Sequence, residues 1–326
     1  MLLFVSYSGA FGGAERVLLD CVTRLSRPAV VACPDGPLAD RLRAAGVEHR
    51  PIAARPLKRN AAGIAGLARD IARAKPDFVV AWGARAVLAA AGTLRPFLAV
   101  HHDLLSPPVK TAVRTANRRA RGVLAASEAI ARAVGGRPIA ILHPGVDLER
   151  FTPRPLPTGP PHALVLGALV AWKRPELALD VAARVPDLHL TIAGATLPGD
   201  DGRVEAELRR RARTFGDRVR IGAVDDVPSA LAGAHVLLHC ADREPYGMAL
   251  VEALAAGRPV VAPAAGGPRE IVTPETGRLY PPGDATAAAA ALRAVLDDST
   301  MPPAARRRAE RHFDVAASVA RLEAAL

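Results

Sequence analysis

Cysteine is scarce in this sequence of 326 residues, which contains only Cys21, Cys33 and Cys240. No two of them form a C-x-x-C pair, and three cysteines cannot make an even-numbered framework. The cysteines therefore fit a reducing compartment better than a disulfide scaffold. The cysteines and the adjacent pair His101 and His102 also lack the spacing of a tetrahedral zinc site, so we expect no metal.

Long apolar runs are missing as well. The longest apolar stretch, residues 77–100, is interrupted by Arg85 and Arg95, whereas a membrane-spanning helix needs about 20 predominantly apolar residues. The N-terminal sequence "MLLFVSYSGAFGGAER" has no basic segment ahead of its apolar residues, as a signal peptide would. These absences predict a cytoplasmic, soluble protein.

Aromatic residues make up 4% of the chain and do not alternate with basic residues. Because single-stranded nucleic acids are held on aromatic platforms within basic grooves, we expect no nucleic-acid partner. Half of the residues are hydrophobic and 23% are charged, which excludes a disordered or fibrous chain. The length predicts two domains of ordinary size.

The positive charge is concentrated in the first half of the chain. Residues 1–155 contain 23 Lys and Arg against 11 Asp and Glu, whereas residues 156–326 contain 20 against 21. This asymmetry favours an anionic partner for the first half, such as a membrane surface or a phosphorylated lipid. The alternative is a set of solvated arginine-rich faces without a partner.

Short apolar runs alternate with amphipathic stretches along the whole chain, which is the pattern of βαβ units with a parallel sheet. The alternation is interrupted once, by "GVDLERFTPRPLPTGPPH" at residues 145–162, where five prolines prevent a regular helix or a central strand. We therefore predict two doubly wound, Rossmann-like α/β domains, residues 1–150 and 151–326, facing a cleft. The terminal helix is expected to return to the first domain.

Glycines follow the first predicted strand, in "SYSGAFGGAERVLLD". Gly12 and Gly13 open the first predicted helix, where backbone N–H groups are able to hold an anion such as a diphosphate. The spacing is not the G-x-G-x-x-G dinucleotide fingerprint. A purely structural turn is the competing interpretation, and Glu15 is expected to stabilise the helix N-terminus.

Two further strand ends carry polar residues. His101 and His102 end "FLAVHH", and because adjacent strand residues point to opposite faces, only one of them is able to face a ligand. Lys173 and Arg174 follow the first strand of the second domain, where a cation would neutralise a phosphate. The competing interpretations are a backbone-bonded histidine and ordinary surface charge.

The stretch "DREPYGMALVEALAAGRPVVAPAAGGPREIV", residues 242–272, carries Glu244 in a loop and Glu252 in the helix predicted over 247–256. At that spacing the two carboxylates are expected to hold separate hydroxyl groups rather than to share a proton. The first helical turn presents backbone N–H groups to the same space. A capping glutamate and a surface glutamate are the structural alternative.

This stretch resembles the E-x7-E region of retaining glycosyltransferases with the GT-B fold, the glycosyltransferase family 4 group. Further segments follow in family order: "GGAER", "HHD", "HPGVDLERFTP", "WKRPELAL" and "TGRLYPPGD". Any one of these motifs is common, whereas the ordered set is specific and extends from residue 12 to about residue 284.

The resemblance implies roles for residues of the second domain. Glu252 would accept hydrogen bonds from the ribose of a nucleotide-diphosphate sugar, and Glu244 would meet the transferred sugar. Lys173 would neutralise charge on the leaving phosphate. Four backbone amides would hold the sugar or the diphosphate: those of Gly247, Met248, Ala249 and Leu250.

In the first domain the resemblance places His102 against the sugar and Gly12 with Gly13 across the cleft from the phosphates. It implies retention at the anomeric carbon, with the leaving diphosphate as the base or with a covalent adduct on Glu244. The chain has no D-x-D motif, which agrees with metal-independent transfer and no cofactor. Ala168 stands where the family usually has an arginine, so Lys173 would act with Arg174, Arg243 or backbone amides.

The resemblance leaves the acceptor and the donor base open. Basic residues in the first domain suit a phosphorylated or membrane-associated acceptor, with peripheral contact at the inner membrane face through residues 55–59 and 107–121. The competing functions are an epimerase or phosphorylase of the same fold, and a non-catalytic protein that binds a sugar nucleotide or acts as a scaffold.

Overall fold

The computed structural model describes residues 1–54, 60–197 and 201–326. These residues form two compact units. Unit 1 comprises Met1–Gly145 and Val315–Leu326, and unit 2 comprises Val146–Asp314. The chain therefore leaves the first unit once and returns to it for the last twelve residues.

Unit 1 contains a parallel sheet of seven strands in the order β3-β2-β1-β4-β5-β6-β7. The strands are β1 (Leu2–Ser6), β2 (Ala29–Cys33), β3 (Glu48–Pro51), β4 (Phe78–Trp82), β5 (Phe97–His101), β6 (Gly122–Ala125) and β7 (Ala140–Ile141). The helices are α1 (Gly13–Val22), α2 (Pro37–Ala44), α3 (Asn60–Ala74), α4 (Ala84–Ala91), α5 (Pro107–Asn117) and α6 (Glu128–Val134).

Unit 2 contains a parallel sheet of six strands in the order β10-β9-β8-β11-β12-β13. The strands are β8 (His162–Leu166), β9 (His189–Ala193), β10 (Val219–Gly222), β11 (Val236–Leu238), β12 (Val260–Pro263) and β13 (Gly277–Tyr280). The helices are α7 (Glu176–Arg184), α8 (Arg203–Ala212), α9 (Val227–Ala232), α10 (Met248–Ala255), α11 (Pro268–Ile271), α12 (Ala285–Leu296) and α13 (Met301–His312).

Burial explains why these sequences form central strands. Every residue of β1 is buried, as are four of the five residues of β2 and of β4, because helices cover both faces of a doubly wound parallel sheet. In both units the strand order reverses next to the first strand, between β1 and β4 and between β8 and β11. The predicted fold class, two doubly wound α/β domains, is confirmed.

The two strands that the sequence does not predict lie at sheet edges. β3 reads "EHRP" and β13 reads "GRLY", and β3 has no buried residue. Edge strands pack on fewer neighbours, so they need no continuous apolar run. Their pairing partners, β2 and β12, fix their register.

The last helix, α14 (Val315–Ala324), belongs to unit 1. It buries Val315, Val319 and Leu322, and the hydroxyl of Ser318 donates a hydrogen bond of 2.7 Å to the carbonyl oxygen of His143. The apolar stripe of this helix thus completes a unit whose other elements all precede residue 146. Within the described ranges, no helix combines the length and the apolar character that crossing a bilayer requires.

Candidate functional site

The reversal of strand order in unit 2 brings two polar loops together. β8 and β11 are neighbours in the sheet, and their carboxyl ends lead into the loops that carry Lys173 and Glu244. The carboxyl edge at such a switch point is where doubly wound sheets bind ligands, because the helices that follow the two strands diverge to opposite faces. The topology therefore creates a candidate site here.

Glu244 is the centre of this site. Its side chain is buried, with the residue 6% exposed, and its Oε2 accepts a hydrogen bond of 2.7 Å from Nζ of Lys173. The Nε2 atom of His239 lies 3.2 Å from the same oxygen. Burial raises the pKa of Glu244, but His239 and Lys173 outweigh burial and lower the pKa to about 2. The carboxylate is therefore ionised at neutral pH.

The second carboxylate oxygen of Glu244, Oε1, has no hydrogen-bond partner in the part of the chain that the structure describes. One oxygen thus faces two basic groups, while the other keeps its full capacity as an acceptor. Such a carboxylate is able to bind a hydroxyl group without giving up the contact with Lys173. It has no proton to donate.

His239 is a site residue that the sequence does not single out. It follows β11 directly and is 4% exposed, and its carbonyl oxygen accepts a hydrogen bond of 2.7 Å from the hydroxyl of Tyr280, at the end of β13. A histidine at the end of a buried strand, five residues before the loop glutamate, is the signal that points to it. Its contact with Glu244 is visible only in the structure.

A pair of glycines holds the Glu244 loop from the other side. Gly266 and Gly267 follow β12, and a Cβ atom on them would lie 2.1 Å from the Glu244 carbonyl oxygen and 2.0 Å from that of Tyr246, respectively. The N–H of Gly267 also donates a hydrogen bond of 3.0 Å to the Glu244 carbonyl. The two loops therefore pack backbone against backbone, which only glycine permits.

Helix α10 begins at the same place. Gly247 precedes it with φ of 113°, a left-handed conformation that favours glycine. Met248 and Ala249 are half-buried, and their N–H groups have no intrahelical partner. The N–H of Leu250, by contrast, already donates a hydrogen bond of 3.0 Å to the carbonyl oxygen of Gly247. Leu250 is also buried. Glu252 lies in the next turn and is 8% exposed.

The loop that carries Lys173 is held by glycines too. Lys173 ends a short 3-10 helix, Ala171–Lys173, and its Nζ lies 4.4 Å from the centre of the Trp172 ring. At the upstream end of this loop, the carbonyl oxygen of Gly167 would lie 1.9 Å from a Cβ atom on Gly194. Residues 167–173 are therefore fixed by close packing against the end of β9.

The neighbouring arginines differ from each other. Arg174 has φ of 50° and forms ion pairs with Asp242 at 2.8 Å and Glu176 at 3.0 Å. These two carboxylates raise the pKa of Arg174, so its charge is compensated inside the protein. Arg243 is exposed and forms no ion pair with any described residue, so its charge is available.

In unit 1 the glycine turn lies where the sequence predicts it, after β1. The N–H of Gly12 donates a hydrogen bond of 3.0 Å to Oε2 of Glu15, which is the glutamate half of a capping box at the start of α1, since Gly12 has no side chain. Glu15 therefore stabilises the helix N-terminus, as expected. Because this carboxylate occupies the Gly12 amide, Gly13 is the better candidate for an anion.

The two histidines at the end of β5 face different surroundings. His101 is buried, and its Nε2 lies 3.0 Å from Oδ1 of Asn117; burial lowers its pKa to about 4. His102 is half-buried at the carboxyl edge, with its ring centre 5.8 Å from that of Trp82. The Nδ1 atom of His102 is buried without a hydrogen-bond partner among the described atoms. Of the two histidines, His102 is therefore the one whose position at the carboxyl edge of the sheet allows contact with a ligand.

The basic segments of unit 1 are described in part. Residues 55–59, where the sequence predicts membrane contact, lie outside the described residues. The second segment, 107–121, forms α5 and the turn that follows, with Arg114 and Arg118 exposed. Across the described ranges, no three His, Cys, Asp or Glu side chains are grouped as metal ligands would be.

Two family models match the chain. The model described as "Glycosyl transferases group 1" matches residues 148–312, about half of the chain. The model described as "Glycosyltransferase Family 4" matches residues 11–150. Together they cover both units, and the residues that meet around Glu244 all lie within the first match.

Two curated relatives are similar to a little less than half of this chain. A phosphatidyl-myo-inositol mannosyltransferase of Mycolicibacterium smegmatis is 35% identical over 171 residues, which are 48% of this chain and 42% of that protein. A GDP-mannose-dependent alpha-mannosyltransferase of Mycobacterium tuberculosis is 33% identical over 150 residues, 43% of this chain and 38% of that protein. The matches thus span less than half the length of these relatives.

A solved structure covers the whole chain. HepE from Anabaena, in complex with UDP and glucose, aligns with a TM-score of 0.86 and 25% identity over 99% of this chain and 98% of that chain. The similarity extends over both units, so it supports the two-domain architecture independently of the sequence motifs.

Proposed function

Because this chain belongs to the group 1 glycosyltransferase family, we propose that it transfers a sugar from a nucleotide-diphosphate donor to an acceptor hydroxyl. The observation that carries this proposal is the meeting of Lys173 and ionised Glu244 in front of the N-terminus of α10. The similar HepE structure contains UDP and glucose, which supports a donor of this class.

The donor would bind along the carboxyl edge of unit 2. The N–H groups of Met248 and Ala249, at the positive end of the α10 dipole, suit a diphosphate. Lys173 adds a formal positive charge from the opposite loop. Glu252, in the next turn of α10, would accept hydrogen bonds from the ribose, and Oε1 of Glu244 would accept one from the transferred sugar.

Catalysis would come from stabilising the leaving diphosphate. As the bond between the anomeric carbon and the phosphate oxygen breaks, negative charge grows on the diphosphate, and Lys173 with the α10 amides lies where that charge is stabilised. Because Glu244 is ionised, it is unable to act as a general acid. Its negative charge suits the positive charge that develops on the sugar ring.

We propose retention of anomeric configuration without a metal. The incoming hydroxyl would approach on the face that the diphosphate leaves and give its proton to a diphosphate oxygen, which becomes basic as the bond breaks. The alternative route is a covalent glycosyl adduct on Glu244, which water or the acceptor hydroxyl then displaces. Both routes give the same configuration.

Unit 1 would serve the acceptor. His102 would contact the sugar, and the Gly13 amide at the start of α1 would approach an anion. The excess of positive charge in residues 1–155 supports an acceptor that is phosphorylated or lies at a membrane surface. The curated relative named for phosphatidyl-myo-inositol supports the same class.

Turnover of a donor tests this function. We expect the purified protein to release a nucleoside diphosphate from one nucleotide-sugar when a cell extract supplies acceptors. Glu244→Gln should lower the rate about 100-fold or more, because the substitution removes a charge that acts in the transition state. Glu149→Gln, an exposed glutamate of unit 2, is the matched control and should keep the rate.

Three further readouts of the same assay separate the alternatives. An anomeric product signal in NMR reports retention or inversion, and activity after EDTA treatment reports the need for a metal. Conversion of the donor without an acceptor would indicate an epimerase. Nucleotide binding without turnover of any donor, under every acceptor condition, would refute the transferase and leave a binding protein.

A further inference from the structure

Unit 1 has a basic pocket at the edge of its sheet opposite to His102 and Gly13. The residues that line it lie just before β5, β6 and β7 or at the first residue of β5, so they are at the amino ends of these strands. Around a cavity of about 480 Å³ stand the side chains of four arginines: Arg95, Arg119, Arg121 and Arg137. Within the described part of the chain, no Asp or Glu lines this cavity.

Two of the four guanidinium groups are held in place by the backbone. Arg119 donates to the carbonyl oxygen of Ala91, the last residue of α4, and to that of Thr93 at 3.3 Å. Arg137 donates to the carbonyl oxygen of Ala120. A carbonyl oxygen carries only a partial negative charge, so these contacts fix the positions of two charges without neutralising them.

The other two guanidinium groups, those of Arg95 and Arg121, are not held by the protein in this way. The side chains of Arg95 and Arg121 make no hydrogen bond or ion pair with any residue in the described ranges. The carboxylate of Asp77 forms an ion pair with the N-terminal ammonium, and this ammonium and, more weakly, Arg95 lower the pKa of Asp77. Four like charges around one cavity repel each other, and a bound anion would remove that repulsion.

We propose that this pocket is a second anion site, which binds a ligand with a phosphate group that carries at least two negative charges. Guanidinium groups match phosphate oxygens through pairs of parallel N–H donors. The cavity volume lies in the range of small-molecule sites, about 300–1,000 Å³. The site is separate from the donor site, which lies in unit 2.

The phosphate has two sources, a soluble molecule or a lipid headgroup. The concave shape of the pocket suits a soluble molecule. Leu94 also lines the pocket and is 98% exposed, and an exposed leucine beside cationic side chains suits a bilayer surface. The test therefore has one arm for each source.

The first arm is calorimetric titration with sodium pyrophosphate at low ionic strength. We compare the wild-type protein with Arg95→Gln/Arg121→Gln, which leaves the backbone contacts of the pocket intact. The double variant should lose the pocket site, with an affinity at least about tenfold weaker. Lys173→Met, in unit 2, should keep it, which distinguishes this site from a diphosphate bound at the donor site.

The matched control is Arg307→Gln/Arg311→Gln, which removes the same charge from exposed positions of α13. The second arm is co-sedimentation with phosphatidylglycerol vesicles and with phosphatidylcholine vesicles. Loss of vesicle binding in the pocket variant alone assigns the phosphate to a lipid, and pyrophosphate binding without vesicle binding assigns it to a soluble ligand. If the pocket variant matches the control in both arms, the proposal is wrong.

Discussion

A single carboxylate decides what chemistry the site in unit 2 is able to perform. Glu244 is buried, yet two basic groups contact its Oε2. A buried carboxyl without such neighbours would have a raised pKa and would serve as an acid. Here the balance is reversed and the pKa is lowered to about 2, so Glu244 is ionised at neutral pH, and the proposed mechanism gives it an electrostatic or nucleophilic role with proton transfer left to the substrate.

The lowered pKa of Glu244 predicts a particular dependence of stability on pH. The unfolded chain binds this proton near pH 4.5 and the folded protein near pH 2, so the stabilising contribution is complete above about pH 4.5 and is lost as the pH falls toward 2. We expect the free energy of unfolding to fall by about 3 kcal/mol more for the wild-type protein than for Glu244→Gln over this range. Denaturant unfolding at several pH values measures it, and parallel curves would contradict it.

At the scale of elements, the site is assembled by loops that follow four neighbouring strands. The loops after β8 and β9 pack backbone against backbone at a glycine, as do the loops after β11 and β12, whereas the loops after β8 and β11 meet through the side chains of Lys173 and Glu244. The sheet thus fixes the polar side chains through the main chain. A change in one of these glycines should move the site even though no functional side chain is altered.

Gly267→Ala tests this dependence. A Cβ atom at residue 267 would lie 2.0 Å from the carbonyl oxygen of Tyr246, so the Glu244 loop must move. We expect a loss of stability of about 1–3 kcal/mol together with weaker nucleotide binding. Gly222→Ala is the matched control, because no atom lies within 4 Å of the Cβ position there. Denaturation and binding measured on both variants check the prediction, and unchanged binding by Gly267→Ala would contradict it.

At the scale of the whole molecule, the sequence predicts the architecture better than it predicts the contacts between side chains. Alternating apolar and amphipathic segments predict both sheets, and polar residues at strand ends predict where Lys173, Glu244 and His102 lie. The pattern does not reveal the edge strands β3 and β13, whose residues are too polar or too few to form an apolar run.

Contacts between residues distant in sequence need the fold itself. The contact of His239 with Glu244 is such a case, because only the folded loop after β11 brings the imidazole within 3.2 Å of the carboxylate. The arginine pocket is also invisible in the sequence, because its members come from three separate turns between residues 95 and 137. A burial pattern is read from residues that are close in sequence, whereas these clusters form only when the fold brings separate segments together.

The most direct test of the proposed donor site in unit 2 is a melting-temperature screen with UDP, GDP, ADP and TDP and their common sugars. A ligand that binds only the folded protein stabilises it by about 2.7 kcal/mol at 100 times its Kd. We predict that one base family raises the melting temperature, that Glu252→Ala removes the effect, and that the control Glu149→Ala keeps it. If no nucleotide shifts the wild-type melting temperature, the central claim is contradicted.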